Sequence, residues 1–211
     1  MKLTANFSWR SVWRSSQLVL AGISLLSLNA CQTATPLRQY DMQISSGVAP
    51  VKSTGFKIQL ADIQVAEQFD SQQMWYRLTY QQAQESRPYA ESRWSMPPAQ
   101  LLAQRLKSRW LQAEIQVAGM QHGVAGLPRL KLELDDFSQH FSSAQQSQAR
   151  ISLRASLIHQ HQLLAQKAFS ADVPASNADA SGGAKAMSLA LDQVLDQLQH
   201  WTQLNYPKSA N

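Results

Sequence analysis

A carboxylate beside an imidazole is the minimum equipment for general acid–base chemistry, and Asp135, Asp136 and His140 form one such grouping. A second grouping, His159 and His161, would put two imidazoles on the same side of a strand and offer a pair of metal ligands. Neither develops into a site. The histidines flank a turn pattern and have no adjacent cysteine or third ligand, so a solvated turn accounts for them. Asp135, Asp136 and His140 close a strand-like run, where polar residues ordinarily form an exposed rim. The larger motifs are missing: there is no GxSxG elbow, P-loop, GxGxxG, HExxH or CxxC. The expectation is a protein that is not an enzyme and holds neither a metal nor a dissociable cofactor. A periplasmic hydrolase acting on envelope components would have to find its machinery in Asp135, Asp136 and His140.

The one cysteine, Cys31, is chemically more specific. It has no internal partner for a disulfide. Upstream lie Lys2, Arg10 and Arg14 with no acidic residue before position 31, then an uncharged apolar run from Leu18 to Leu28, then Asn29, Ala30 and Cys31. Cations, a short apolar helix and a small residue before the cut make the three-part layout of a secretory signal. The run is 11 residues long, well under the roughly 20 that a permanent membrane helix needs. Leu28 at −3, Ala30 at −1 and Cys31 at +1 resemble a bacterial lipobox, from which Asn29 departs. That resemblance implies cleavage between Ala30 and Cys31, diacylglycerol on the thiol and an N-acyl chain on the new amino group. Gln32, not Asp, at +2 favours the outer membrane, with the domain facing the periplasm.

The anchor also reinterprets the charge. A formal net charge of +5 and a pI near 9.5 suggest nucleic acid or an anionic surface as partner. Lys2, Arg10 and Arg14 belong to the cleaved signal, so the mature chain is left at about +2 with no basic face. Nucleic-acid binding is therefore not expected. At 211 residues with 44% hydrophobic and 16% charged, the chain has room for one ordinary core and not for two full-sized domains.

Residues 1–30 read as the signal, 31–54 as a lipidated tether with one short strand around Arg38 to Ile44, 55–204 as the domain and 205–211 as a tail. Alternation over Phe56 to Leu60, continued by Ile63 and Val65, predicts strand, as does the aromatic run Met74 to Tyr80. Glu85, Arg87 and Glu91 read as a solvated loop. Pro97 and Pro98 open a helix of about 16 residues, with Ser95 as its candidate cap and Leu101, Leu102, Leu106, Trp110 and Ala113 as its apolar stripe. Arg105, Lys107 and Arg109 lie off that stripe and read as a solvated face. Leu130 to Leu134 and Ile151 to Leu157 alternate, and Leu163 to Phe169 returns after a tight turn, so the last two should pair as a hairpin. Residues 174–183 read as a linker, and Met187 to Trp201 as a second amphipathic helix of about 20 residues. The order of elements predicts an α+β fold, a mainly antiparallel sheet with two amphipathic helices packed on one face.

One block stands out: Tyr89-Ala90-Glu91-Ser92-Arg93-Trp94-Ser95-Met96-Pro97-Pro98. Trp94 ahead of a helix start suits an aromatic packed back on the first turn. Tyr89, Arg93 and Trp94 are also candidates for partner contact, since Tyr, Trp and Arg are enriched in interface hot spots. With the lipobox, Arg38 to Met42, Tyr76-Arg77 and the pattern YAxxRWxxPPxxLLxxRL over Tyr89 to Leu106, the chain resembles the ABC-type transport auxiliary lipoproteins, the PqiC-like group. The likeness runs from about residue 38 to 204 and departs at Asp41-Met42. It implies a non-enzymatic accessory of a lipid-transport system, docked to an MCE-domain transport protein and its membrane components, with homo-oligomerisation left open. An assembly factor or plug for an outer-membrane barrel remains the alternative.

Overall fold

Long strands with one apolar face need a partner layer, and the domain supplies it with two helices. The structure, a computed structural model, describes residues 36–42, 55–122 and 124–207. Ala30, Cys31 and the rest of the signal lie outside the described residues, as does most of the tether. The elements in order are β1 (Arg38–Tyr40), β2 (Lys57–Leu60), β3 (Gln64–Val65), β4 (Gln73–Leu78), β5 (Arg87–Trp94), α1 (Pro98–Gln112), β6 (Gln116–Gly119), β7 (Arg129–Phe141), β8 (Ser147–His159), β9 (Gln162–Pro174) and α2 (Ala180–Asn205).

The class is α+β, and the sheet is mixed. β7 pairs antiparallel with β8, and β8 antiparallel with β9, over nearly their whole lengths. The β8–β9 turn is Gln160-His161, both with positive φ (48° and 65°), which is the twist a two-residue hairpin turn requires. The other edge of β7 is occupied in succession by β2, β3 and β4, all parallel to it. Parallel strands need a crossover connection. Here the path from β4 to β7 runs through β5, α1 and β6. Alternation does not report strand direction, so these parallel additions are invisible in the sequence. β1 joins parallel to β5 with Tyr40 opposite Trp94, and Met42 is buried. The one short strand expected within the tether, around Arg38 to Ile44, is seen at Arg38–Tyr40, paired into the sheet.

β7 changes phase midway. Leu130, Leu132 and Leu134 are buried, then a bulge between Leu134 and Asp136 hands the core face to Phe137 and Phe141. An extra residue in one strand does this because side chains alternate with a period of two. Opposite them, Ala149, Ile151, Leu153 and Leu157 of β8 and Phe169, Ala171 and Val173 of β9 meet the α2 stripe of Met187, Ala190, Leu191, Val194, Leu195 and Leu198, all in one core with Leu101, Leu102, Leu106 and Trp110 of α1.

Two sequence expectations for helix starts change. α1 begins with Pro97 in the cap position and no side-chain cap bond; the Ser95 hydroxyl is buried without a partner. Proline at N1 needs no amide donor, so the start survives without a cap. α2 begins at Ala180 inside the expected linker, with Asp179 accepting from the Gly182 amide at 2.7 Å. Of residues 174–183, Pro174 ends β9, 175–179 form the connection and 180–183 the first turn of α2. Gly182 is there because a Cβ would lie 2.2 Å from the Asn177 carbonyl oxygen and 2.8 Å from its nitrogen. Glycine to alanine in a helix normally stabilises by up to about 1 kcal/mol. Here the clash is with backbone, so Gly182→Ala should instead destabilise by about 1–3 kcal/mol in urea unfolding. A neutral or stabilising result would show that the first turn of α2 is free to move.

Candidate functional site

β5 carries the block that the sequence singles out, and its local geometry sorts those residues. The β4–β5 ladder pairs Tyr76 with Arg87 and Trp75 with Pro88, then resumes at Gln73 opposite Arg93. The intervening residues of β5 are looped out of register, which is why alternation fails across them and the strand reads as loop. Trp94 points into the core at 2% exposure, edge-on to Phe137 at 5.3 Å. It is not available as a contact surface. Tyr89 is half-buried: its ring lies 4.7 Å from Tyr76 and its hydroxyl donates to Gln139 Oε1 at 2.9 Å. Burial first, then the neighbouring Tyr76, Asp179 and Tyr40, push its phenol far above the ordinary value. It stays neutral and serves as a hydrogen-bond donor.

Behind Tyr89 sits a polar network that the sequence does not announce. Gln139 Nε2 donates to Ser147 Oγ at 2.7 Å and to the Asp179 carbonyl at 3.2 Å, which fastens β7 and β8 to the start of α2. A Cβ on Gly183 would meet Gln139 Oε1 at 1.9 Å, so that glycine is what lets the amide in.

In front of Tyr89, Arg93 opens onto a groove of about 320 Å³ lined by Leu37, Gln72, Gln73, Tyr89, Ser92 and Arg93. Leu37 is exposed. Across three strands Arg93 is the middle of a row, with Gln39 of β1 on one side and Gln73 of β4 on the other. This row carries amides and a guanidinium and no carboxylate. Of the predicted contact residues, Tyr89 and Arg93 reach this groove and Trp94 stiffens it from beneath.

The acid–base candidates separate. Asp135 turns to Arg154, 2.9 Å away. Asp136 does meet His140, through Oδ2 at 3.3 Å, and Ser138 Oγ donates to Asp136 Oδ1 at 2.5 Å while lying 3.0 Å from the same His140 Nε2. β7 continues to Phe141, so these are not an exposed rim; the phase change aligns Asp136, Ser138 and His140 on one face. A serine, a histidine and an aspartate in contact invite comparison with a nucleophilic triad, where the base bridges serine and carboxylate through different ring nitrogens. Here both partners crowd Nε2, and Ser138 is 1% exposed. The arrangement holds a sheet face together and does not present a nucleophile. Burial raises the Asp136 carboxyl, but hydrogen bonds from His140 and Ser138 and the charges of His140 and Arg77 outweigh it and hold the group below the usual range. A depressed folded pKa contributes stability above the unfolded value, lost as pH falls through the folded one. Asp136→Asn should therefore flatten the loss of stability below about pH 4, measured by acid titration of unfolding.

His159 and His161 part company too: His159 is buried and His161 lies exposed in the turn. Among the described residues no group of three or more His, Cys, Asp or Glu could hold a metal. The sequence reading of Arg105 and Arg109 as a solvated face is corrected. Both are buried, at 3% and 4% exposure, with Arg105 bidentate on Asp192 of α2 at 2.8 and 2.7 Å and Arg109 bridging Asp192 and Asp196.

The family model described as ABC-type transport auxiliary lipoprotein component matches residues 40–199. Among solved structures, protein XCC0632 from Xanthomonas campestris, of the DUF330 family, is similar over 81% of this chain and 94% of its own, at 21% identity and a TM-score of 0.64. A second, titled only as an uncharacterized protein, is similar over 79% and 98%, at 15% identity and a TM-score of 0.61. At these identities the likeness is one of fold. Comparison with curated proteins found no match.

Proposed function

The chain belongs to the family of ABC-type transport auxiliary lipoprotein components, and from that premise we propose that it is an outer-membrane lipoprotein acting as a non-enzymatic accessory of an MCE-type intermembrane lipid transport system. Cys31 carries the lipid, the domain faces the periplasm, and its task is to dock to or position an MCE-domain protein with its membrane components. The observation that carries this reading is the family match across residues 40–199. Two features support it. The lipobox ending at Ala30-Cys31 supplies an anchor, and the Asp136–Ser138–His140 contact is built for packing. An accessory of this kind needs an anchor and a surface, not a nucleophile.

The test is affinity capture of the native lipoprotein from detergent extracts, with the bound proteins identified by mass spectrometry. An MCE-domain protein and a permease should be recovered. Recovery of an outer-membrane barrel without them would favour the alternative role of barrel assembly factor or plug.

A further inference from the structure

The lipid anchor and the sheet are separated by very little chain. β1 captures the backbone at Arg38, and the six peptide steps from Cys31 to Leu37 reach at most about 20 Å when fully extended. Residues beyond Met42 add nothing to this reach, because Met42 is already buried in the core, where Ser188 Oγ lies 3.2 Å from its sulfur. Whatever surrounds Leu37 therefore has to lie close to the headgroups of the membrane that holds Cys31. What surrounds it is the groove of Arg93, and Arg38, the next residue along β1, is exposed.

We infer that this groove rests on the membrane in which the chain is anchored, and that Arg93 and Arg38 take the phosphates of anionic phospholipid headgroups. The inference rests on the proposed acylation of Cys31 and adds to it a second contact that orients the domain. The chemistry fits. No ion pair is formed by Arg38 or Arg93 among the described residues, and the Asp41 carboxylate next to β1 is turned back on the Met42 amide at 2.7 Å. Gln72 and Gln73 bring further amides to the groove, and Leu37 gives it one exposed apolar side chain. Guanidinium and amide donors around a small apolar spot match a phosphate ester above the acyl boundary. Three acyl chains on Cys31 exceed what stable anchoring needs, so the surface cations add orientation to an attachment already secure.

Acylated full-length protein, purified from membranes and checked by intact mass, provides the test. It is reconstituted into phosphatidylethanolamine vesicles with or without phosphatidylglycerol, and amide hydrogen exchange is compared with the same protein in detergent. Amides of Arg38–Tyr40 and of residues 90–93 should exchange more slowly in vesicles containing phosphatidylglycerol, and the paired substitution Arg38→Gln with Arg93→Gln should remove that protection. Each arginine should account for about a fivefold difference in surface occupancy. Equal exchange in vesicles and detergent overturns the proposal. So does protection that appears only when a protein partner is added, or protection reproduced in detergent by free glycerol 3-phosphate. A Cys31 found without acyl chains removes both the anchor and this inference, whereas an acylated but unprotected protein removes the inference alone.

Discussion

Cys31→Ala should convert the protein from one retained entirely with the membrane fraction to one that is not, with complete loss of metabolic lipid labelling. Each buried methylene contributes about 0.8 kcal/mol, and one chain alone gives only reversible binding, so stable anchoring takes two signals. Acylated Cys31 would carry three chains; alanine carries none. The described part of the chain offers no replacement, since none of its helices is long and apolar enough to cross a membrane. The two arginines proposed at the headgroups are far too weak to compensate. At about 1 kcal/mol each they leave binding that salt abolishes within a Debye length. Fractionation at high ionic strength is the measurement, paired with intact mass. An alanine variant that still incorporates labelled lipid would sink the lipobox reading, and one that stays on membranes unlabelled would point to a retained signal segment as anchor.

The parts legible in the sequence are those where periodicity is local. The stripes of α1 and α2 and the alternation of β8 come from residues within one turn or one pleat of each other, and the structure has them where the spacing puts them. What stayed hidden depends on distant pairing. β5 carries Pro88, Glu91 and a looped-out stretch, so nothing in its own run reads as strand; β4 and β1 make it one. The doubled Asp135-Asp136 looks like the end of β7 and is instead the bulge that shifts its phase. The candidate site was legible in half: Tyr89 and Arg93 share a groove, but Trp94 is core, because the residue two positions from a buried Ser92 follows it inward. Gln139, which holds Tyr89 in place, carries no sequence signal that separates it from the chain's many other glutamines. Arg105 and Arg109 did leave one. Their four-residue spacing on α1 is matched by Asp192 and Asp196 on α2, which two facing helices can satisfy together.

That matched spacing sets up the largest expected loss of stability. Asp192 takes both arms of Arg105 and a third contact from Arg109 at 3.4 Å, and its own side chain is only 14% exposed. Removing one partner of a buried ion pair costs about 3–5 kcal/mol, chiefly because the other charge is left desolvated and unpaired. Asp192→Ala takes both of these contacts from Arg105 and one from Arg109, so a loss of about 3–5 kcal/mol is expected in urea unfolding, a large share of what an ordinary domain has. Asp196 makes the contrast: its side chain is 41% exposed, water screens it, and Asp196→Ala should cost about 1 kcal/mol or less. A second contrast separates pairing from packing. Replacing Arg105 and Asp192 together by Met and Leu removes both charges while filling the space, and such exchanges are often neutral or stabilising. If Asp192→Ala and Asp196→Ala proved equally mild, the two helices would not be held by charge, and the spacing on α1 and α2 would be coincidence. The helix pair matters for function because α1 follows β5 directly through Ser95-Met96-Pro97. Loosening α1 from α2 should therefore also loosen the Trp94 end of the groove, read as faster amide exchange at Arg93 in the Asp192→Ala variant than in Asp196→Ala.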